Sequence, residues 1–404
     1  MKQLYFLFSL YIFVTIFSQS STHNLKCSPN FCEKYVDTHS CNIMSDACDD
    51  LKGEYFAGEG PCGCCKICMK YLAENEFCTI GSPETPPPMM MCGPGLSCQS
   101  EDNRCKLMNT DCFNEWKRYN ETIKEGKPLK YVEKPVCNGD GKYGPIKCNV
   151  NQTCFCVDED GTRIFGEAIY TESTKFSMNC ECSRANKKFN DMIKFKYPVL
   201  KARCLGDGSY DPLQCLNENC TCIERESGSI INDRIYNLTE ISYQNLPCYN
   251  RNWHTDWKYH HDCEEIIMDF LNKIHSSLSK NIKPFDMIVK ECQPDGWFNS
   301  FNENSTSKFC VDKFNRIIEN YSVPKNSKEA ESMNCKCART QDLLKRNKKE
   351  IPECCPNGNF KELQCRKVND EKRECYCVDE NGLQIEKEVL EDKIATLSCH
   401  DAKC

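Results

Sequence analysis

Thiols are the reactive groups that this chain holds in excess: 36 of its 404 residues are cysteine, against seven histidines. Two chemistries suit such a density, zinc held by converging thiolates and covalent pairing as disulfides in an oxidising compartment. The N-terminus bears on the choice. Lys2 opens a short basic region, Leu4 to Phe17 is apolar, and Ser18-Gln19-Ser20 offers small residues for cleavage, the pattern of a secretory signal peptide over 1–20. The apolar run is short for a bilayer, polar sequence follows at once, and no later segment is apolar enough to span one. In a secreted, extracellular chain the thiols are read as disulfides, so Cys62-Gly63-Cys64-Cys65 is not a zinc site, and no metal or cofactor is expected. Sequons at Asn120, Asn151, Asn219, Asn237, Asn304 and Asn320 suit a glycoprotein.

Catalysis finds no footing. Seven histidines, no nucleophile elbow and no thiol left without a partner supply no base and nucleophile pair, so the chain reads as a binding protein and not an enzyme. With 27% charged residues and a mean hydropathy of −0.62, it is too polar for one large core. Several small disulfide-rich modules are expected instead. The net charge of −7 argues against wholesale nucleic-acid binding. Lys345-Arg346-Asn347-Lys348-Lys349 and Lys187-Lys188 read as solvated charge, and Trp253-His254, Trp257 and Tyr259-His260-His261, within 249–262, read as an exposed aromatic linker without enough converging ligands for a metal.

Cysteine spacing sets the organisation. Twelve cysteines crowd 27–105, and a six-cysteine unit then recurs. The first copy, 112–180, has Cys112, Cys137, Cys148, Cys154, Cys156 and Cys180; the second, 182–248, has Cys182, Cys204, Cys215, Cys220, Cys222 and Cys248. The last, 337–404, has Cys337, Cys354, Cys365, Cys375, Cys377 and Cys399. Each places Gly-x-aromatic between the second and third cysteines: Gly141-Lys142-Tyr143, Gly208-Ser209-Tyr210 and Gly358-Asn359-Phe360. Between these copies lies a degenerate one, 263–335, with Cys263, Cys292, Cys310 and Cys335 and with Glu303 and Lys308 at the third and fourth places. Two thiols lost together imply that they bond each other. That leaves three pairings for the other four, of which first to second and fifth to sixth is chosen, since the side chains of a Cys-x-Cys pair share one face of a strand and can reach different partners. Cys355 and the terminal Cys404 are left over and should pair as a C-terminal staple. Asp158-Glu159-Asp160-Gly161 and Asp379-Glu380-Asn381-Gly382 read as hairpin turns, and Ile267, Phe270, Leu271, Ile274 and Leu278 fall at helical spacing.

Leu213-Gln214-Cys215, Leu363-Gln364-Cys365, Cys154-Phe155-Cys156-Val157 and Cys375-Tyr376-Cys377-Val378 give the repeats a resemblance to thyroglobulin type-1 domains, with Phe155, Thr221, Phe309 and Tyr376 where that family has tryptophan. The resemblance implies the same disulfide pairing and a small α+β fold, a short helix on a small antiparallel sheet, four times over. The cluster at 27–105, through Gly60-Pro61-Cys62-Gly63-Cys64-Cys65 and Cys92-Gly93-Pro94-Gly95-Leu96-Ser97-Cys98, resembles the cysteine-knotted N-terminal domain of insulin-like growth factor binding proteins. Only Gln99 to Arg104 stand between its last two cysteines, where those binders carry a longer leucine-bearing segment, and Thr79 to Met91 forms a Pro- and Met-rich loop.

The first resemblance implies a thyropin-like inhibitor whose loops wedge into the cleft of papain-like cysteine proteases. The loop between third and fourth cysteines is the candidate element. In the fourth repeat it presents Arg366, Lys367, Lys372 and Arg373 and carries no sequon; in the first it presents Asn149 and Val150 beside the sequon Asn151. The alternatives are binding of an insulin-like peptide or growth factor, or an extracellular-matrix interaction.

Overall fold

The computed structural model describes residues 29–38, 48, 53–57, 64–80, 90–192, 201–216, 218–254, 258–280, 292–369 and 372–404; residues 1–20, expected to be a signal peptide, and the Pro-rich part of the Met-rich loop lie outside them. The chain divides into two compact units, Met1–Met108 and Asn109–Cys404.

In the first unit, helix α1 (Pro29–Thr38) precedes a three-stranded sheet of β1 (Gly53–Ala57), β2 (Lys66–Leu72) and β3 (Met90–Cys92). Strand β1 runs antiparallel to β2 and β3 parallel to it. A hairpin of β4 (Leu96–Cys98) and β5 (Cys105–Leu107) follows, and the disulfides Cys48–Cys68, Cys78–Cys98 and Cys92–Cys105 tie these pieces around buried Leu72. The Sγ atoms of Cys78, Cys92 and Cys98 lie together, but all three belong to disulfides and cannot act as thiolate ligands.

The second unit repeats one plan four times: a helix, then a three-stranded antiparallel meander. The helices are α2 (Asp111–Lys124), α3 (Glu181–Met192), α4 (Asp262–Ser279) and α5 (Lys336–Arg346). The sheets are β6 (Ile146–Cys148) to β7 (Thr153–Val157) to β8 (Arg163–Ile169); β9 (Leu213–Leu216) to β10 (Asn219–Ile223) to β11 (Ile230–Asn237); β12 (Phe301–Glu303) to β13 (Ser307–Val311) to β14 (Ile317–Pro324); and β15 (Leu363–Asn369) to β16 (Lys372–Cys377) to β17 (Val389–Leu390). Helix α2 starts where Thr110 accepts a hydrogen bond from the Phe113 amide, meeting one of the four donors that a helix start leaves unpaired.

One disulfide of each complete module fastens the helix to the strap behind it (Cys112–Cys137, Cys182–Cys204, Cys337–Cys354), and Cys263–Cys292 does so in the third. Another fastens the central strand to the module's end (Cys156–Cys180, Cys222–Cys248, Cys310–Cys335, Cys377–Cys399). The third and fourth cysteines face each other directly across the first hairpin, Cys148 to Cys154, Cys215 to Cys220 and Cys365 to Cys375, each with Cα atoms 4.0 Å apart. In the third module Glu303 and Lys308 occupy that register position. They do not pair with each other: Glu303 takes Lys325 at 2.7 Å, while Lys308 donates to the Ala330 carbonyl. Cys355 and Cys404 are joined.

The glycines of the Gly-x-aromatic signature and of its third-module counterpart sit at positive φ, from +74° at Gly358 to +85° at Gly208, which lets the chain turn so that the aromatic bridges back to the second cysteine of its module. In α4, Ile267, Phe270 and Ile274 face the core and Leu271 is half-buried, but Leu278 is 54% exposed in the helix's last turn. The expected exposed aromatic linker is also corrected. Tyr259, His254 and His261 are buried, because the segment is clamped: Tyr259 donates to the Leu213 carbonyl, His254 pairs with Asp211 at 2.8 Å, and His261 stacks on Trp297. Trp253 stays exposed, and 255–257 lies outside the described residues.

Candidate functional site

Each module touches the next, and the fourth touches the first. One residue, Glu181 or Lys336, separates the last cysteine of one module from the first of the next, and Cys180 and Cys335 take a left-handed conformation there. Arg184 then donates to the carbonyls of Tyr143 and Val157, as Arg339 does to those of Phe298 and Asn299. The second and third modules meet through a buried Arg203–Glu264 ion pair, with the Arg203 guanidinium 3.6 Å from the Tyr259 ring centre. Burial would raise the Glu264 carboxyl, but His260, Arg203 and the His261 amide hold it down at about 2.

The contact between fourth and first modules decides the fate of the candidate loops. Arg366 is 5% exposed, donates to the Val150 carbonyl at 2.8 Å, and lies 4.4 Å over the Tyr131 ring, which itself stacks on Tyr376 at 4.8 Å. Glu374, opposite Arg366 in the hairpin register, accepts from Lys130 and from the Tyr131 hydroxyl, and Gln384 accepts from the Tyr131 amide. Burial works to raise the Glu374 carboxyl, yet the Lys130 and Tyr131 hydrogen bonds leave it below its usual range. Leu383 packs into the core of Cys112, Tyr143, Phe155 and Val157. A cavity of about 470 Å³ beside this junction is walled by Val132, Ile146, Met178 and Leu383 with Glu133 and Lys147.

Three candidates are therefore corrected. Asn149 is 1% exposed and Arg366 is an anchor between modules, so neither is offered to a partner, and Val150 is half-buried with its carbonyl taken by Arg366. The cause is the 131–133 strap, which lies on the first module's turn through the Val150 amide to Tyr131 carbonyl bond, with the fourth module seated on top. Asn151 alone of that turn points out, at φ +65°.

Beyond Cys365 and Cys375 the fourth module's hairpin runs on to its tip, where Lys367, Val368, Asn369 and Lys372 are exposed. Its root is fixed. The Cys365–Cys375 disulfide ties the strands, the Lys367 amide donates to Glu350, and Arg373 reaches Glu353 and Glu391. The equivalent turns differ. In the second module Glu218 and Asn219 are exposed within a short disulfide-closed turn, and in the third, Asn304 accepts from the Thr306 amide and hydroxyl in a turn without a disulfide. The junction residues Tyr131, Glu374 and Gln384 were not singled out by sequence reasoning, because nothing in local spacing marks residues whose partners lie more than 240 positions away.

Residues 112–176 and 327–396 match the family model of the thyroglobulin type-1 repeat, and residues 16–109 match that of the fungal protease inhibitor family. Thyroglobulin of Rattus norvegicus is 27% identical over 103 residues, which is 25% of this chain and 4% of that protein. Equistatin of Actinia equina is 25% identical over 186 residues, 44% of this chain and 68% of its own length. U20-hexatoxin-Hi1a of Hadronyche infensa is 28% identical over 104 residues, 25% of this chain and 66% of its own length. The chain thus spans a small fraction of the length of the thyroglobulins it matches. It carries thyroglobulin type-1 repeats in small disulfide-rich modules, and its family matches point to an inhibitor and not to an enzyme. The growth-factor-binding reading of 27–105 gains no support, since that stretch matches a protease inhibitor family instead. Physically, Gln99 to Arg104 form a closed turn, with the Asn103 amide bonded to the Gln99 carbonyl and the Gln99 amide to the Arg104 carbonyl, leaving no arm to grip a hormone.

Proposed function

We propose that the chain is a secreted, extracellular inhibitor of papain-like cysteine proteases and that the β15–β16 hairpin of the fourth module enters the protease cleft. The observation that carries this is the shape of that hairpin, rooted by a disulfide and a buried arginine while Lys367, Val368, Asn369 and Lys372 are exposed. A loop ordered at folding loses little freedom on binding, which favours tight occupation of a narrow cleft. Supporting it, the β15–β16 hairpin lies within a thyroglobulin type-1 match, and the chain also matches a protease inhibitor family. The first module's turn, covered by the fourth module, is no reserve site in the intact chain.

The test titrates the full secreted chain against a cathepsin L-like protease, comparing wild type with Lys367→Ala/Val368→Asp/Lys372→Ala and with Glu218→Ala in the second module's turn. The hairpin variant should weaken inhibition about 30-fold or more, as loss of central contacts in an interface does, and Glu218→Ala should leave it unchanged. No inhibition by wild type at micromolar concentration, or a hairpin variant as potent as wild type, refutes the reading.

A further inference from the structure

In the N-terminal unit, a tight turn is followed by a rigid segment that presents one aromatic side chain. The Glu76 amide bonds to the Ala73 carbonyl, the Glu76 carboxylate accepts from the Ala73 amide, and Asn75 sits at φ +68°. From there the chain runs antiparallel to 103–105. The Asn75 amide donates to the Cys105 carbonyl, the Cys105 amide to the Glu76 carbonyl, and the Cys78 amide to the Asn103 carbonyl.

These bonds fix what Phe77 can offer. Phe77 and Arg104 form the bridge flanked by the last two of those bonds, which makes them a non-hydrogen-bonded antiparallel pair. The N–H and C=O of Phe77 therefore point away from its neighbour, and among the described residues no backbone group bonds them. The side chain is 65% exposed, whereas the next residue, Cys78, is buried and joined to Cys98. An extended strand with a free edge, held by a disulfide at its next residue and carrying an exposed ring, is the form in which a peptide pairs with a protease's substrate-binding strand. Thr79 and Ile80 continue the exposed surface on the far side of Cys78.

We infer that the Asn75–Ile80 segment is a second inhibitory site, which places Phe77 in the aromatic-selective primary pocket of a chymotrypsin-like serine protease. It belongs to a different unit and a different protease class from the hairpin of the fourth module, and it stands independently of that reading. An apolar slot at the primary pocket selects aromatic side chains, and burying one ring there supplies the large contact area typical of an interface anchor. Binding requires no bond to be made or broken. The surrounding backbone bonds and the Cys78–Cys98 disulfide hold Glu76 to Cys78 extended beside 103–105, so little ordering is left to be done there on docking.

The experiment uses the full secreted chain and measures inhibition of chymotrypsin, trypsin and a cathepsin L-like protease with small chromogenic or fluorogenic substrates. Wild type should inhibit chymotrypsin, Phe77→Tyr should retain this, and Phe77→Ala should weaken it about 30-fold or more. Phe77→Arg should move inhibition from chymotrypsin to trypsin, a change of specificity that a structural role for Phe77 would not produce. Because the ring is largely exposed, these variants should keep the wild-type thermal melt and disulfide map, and inhibition of the cathepsin should not change. Absence of chymotrypsin inhibition by wild type at micromolar concentration, or a Phe77→Ala variant as potent as wild type, overturns the proposal and leaves the cysteine-protease reading untouched.

Discussion

Arg366→Ala probes the closure of the fourth module on the first. The wild-type side chain contributes a charge-assisted hydrogen bond to the Val150 carbonyl, for which about 1.5–3 kcal/mol is typical, and a stacked contact on Tyr131 in a desolvated setting, about 1–2 kcal/mol. Against these stands the cost of burying a guanidinium whose Nε has no hydrogen-bond partner, a cost that the alanine removes. The balance is a loss of about 2–3 kcal/mol, localised to this junction. Arg366→Lys should recover less than half of it, because an ammonium cannot lie flat on Tyr131. Amide exchange is the direct assay. The Val150 amide, bonded to the Tyr131 carbonyl, and the Tyr131 amide, bonded to Gln384, should exchange about 30-fold faster or more in the alanine variant. The Cys204 amide, bonded to Pro294 at the contact of the second and third modules, should keep its wild-type rate. Unchanged exchange at Val150 and Tyr131, or equal acceleration at Cys204, would refute the view that Arg366 closes one particular junction.

Two further outcomes are expected. Gly358→Ala should block secretion or cost about 3 kcal/mol or more, since its Cβ would lie 2.3 Å from Cys310 Sγ at φ +74°, whereas Gly206→Ala, with nothing within 4 Å, should be silent in the same secretion and melting assays. The pH dependence of the second to third module contact pits His261 against Asp295. Burial, with Arg203 nearby, lowers His261 to about 4 from 6.5, so the folded state binds fewer protons than the unfolded chain in that window and acidification through it removes up to about 3 kcal/mol. Burial raises Asp295 to about 6 from 3.8, so the folded state holds the extra proton there and acidification restores a similar amount. Wild type should therefore be nearly flat from pH 6.5 to 4 at this contact, and Asp295→Asn should melt progressively lower across that window; a flat profile in the variant would discount His261.

Most of the covalent framework was legible because it repeats. The joint absence of cysteines at Glu303 and Lys308 is a statement about pairing that needs no coordinates, and the structure sets these two residues at the register position where the other modules carry their cross-strand disulfide. The Gly-x-aromatic signature likewise encodes a local turn, whose positive φ is a property of four or five residues. Helical spacing was a weaker guide: it selected Ile267, Phe270 and Ile274 correctly and misplaced Leu278, because periodicity reports the face of a helix but not where its neighbours stop. The aromatic segment at 253–261 read as solvent-facing because its partners, Asp211, Leu213 and Trp297, lie in other parts of the chain.

By itself, then, the sequence determined the disulfide modules and the small α+β plan of each repeat, since covalent spacing and turn chemistry act over tens of residues. Only the tertiary structure decided which loops are open to a partner. Arg366 and Lys367 are adjacent and both basic, yet one is buried against Val150 and the other exposed near the hairpin tip. Side chains alternate sides along a strand, and which side meets another module depends on contacts between residues more than 200 positions apart, for which local composition carries no signal.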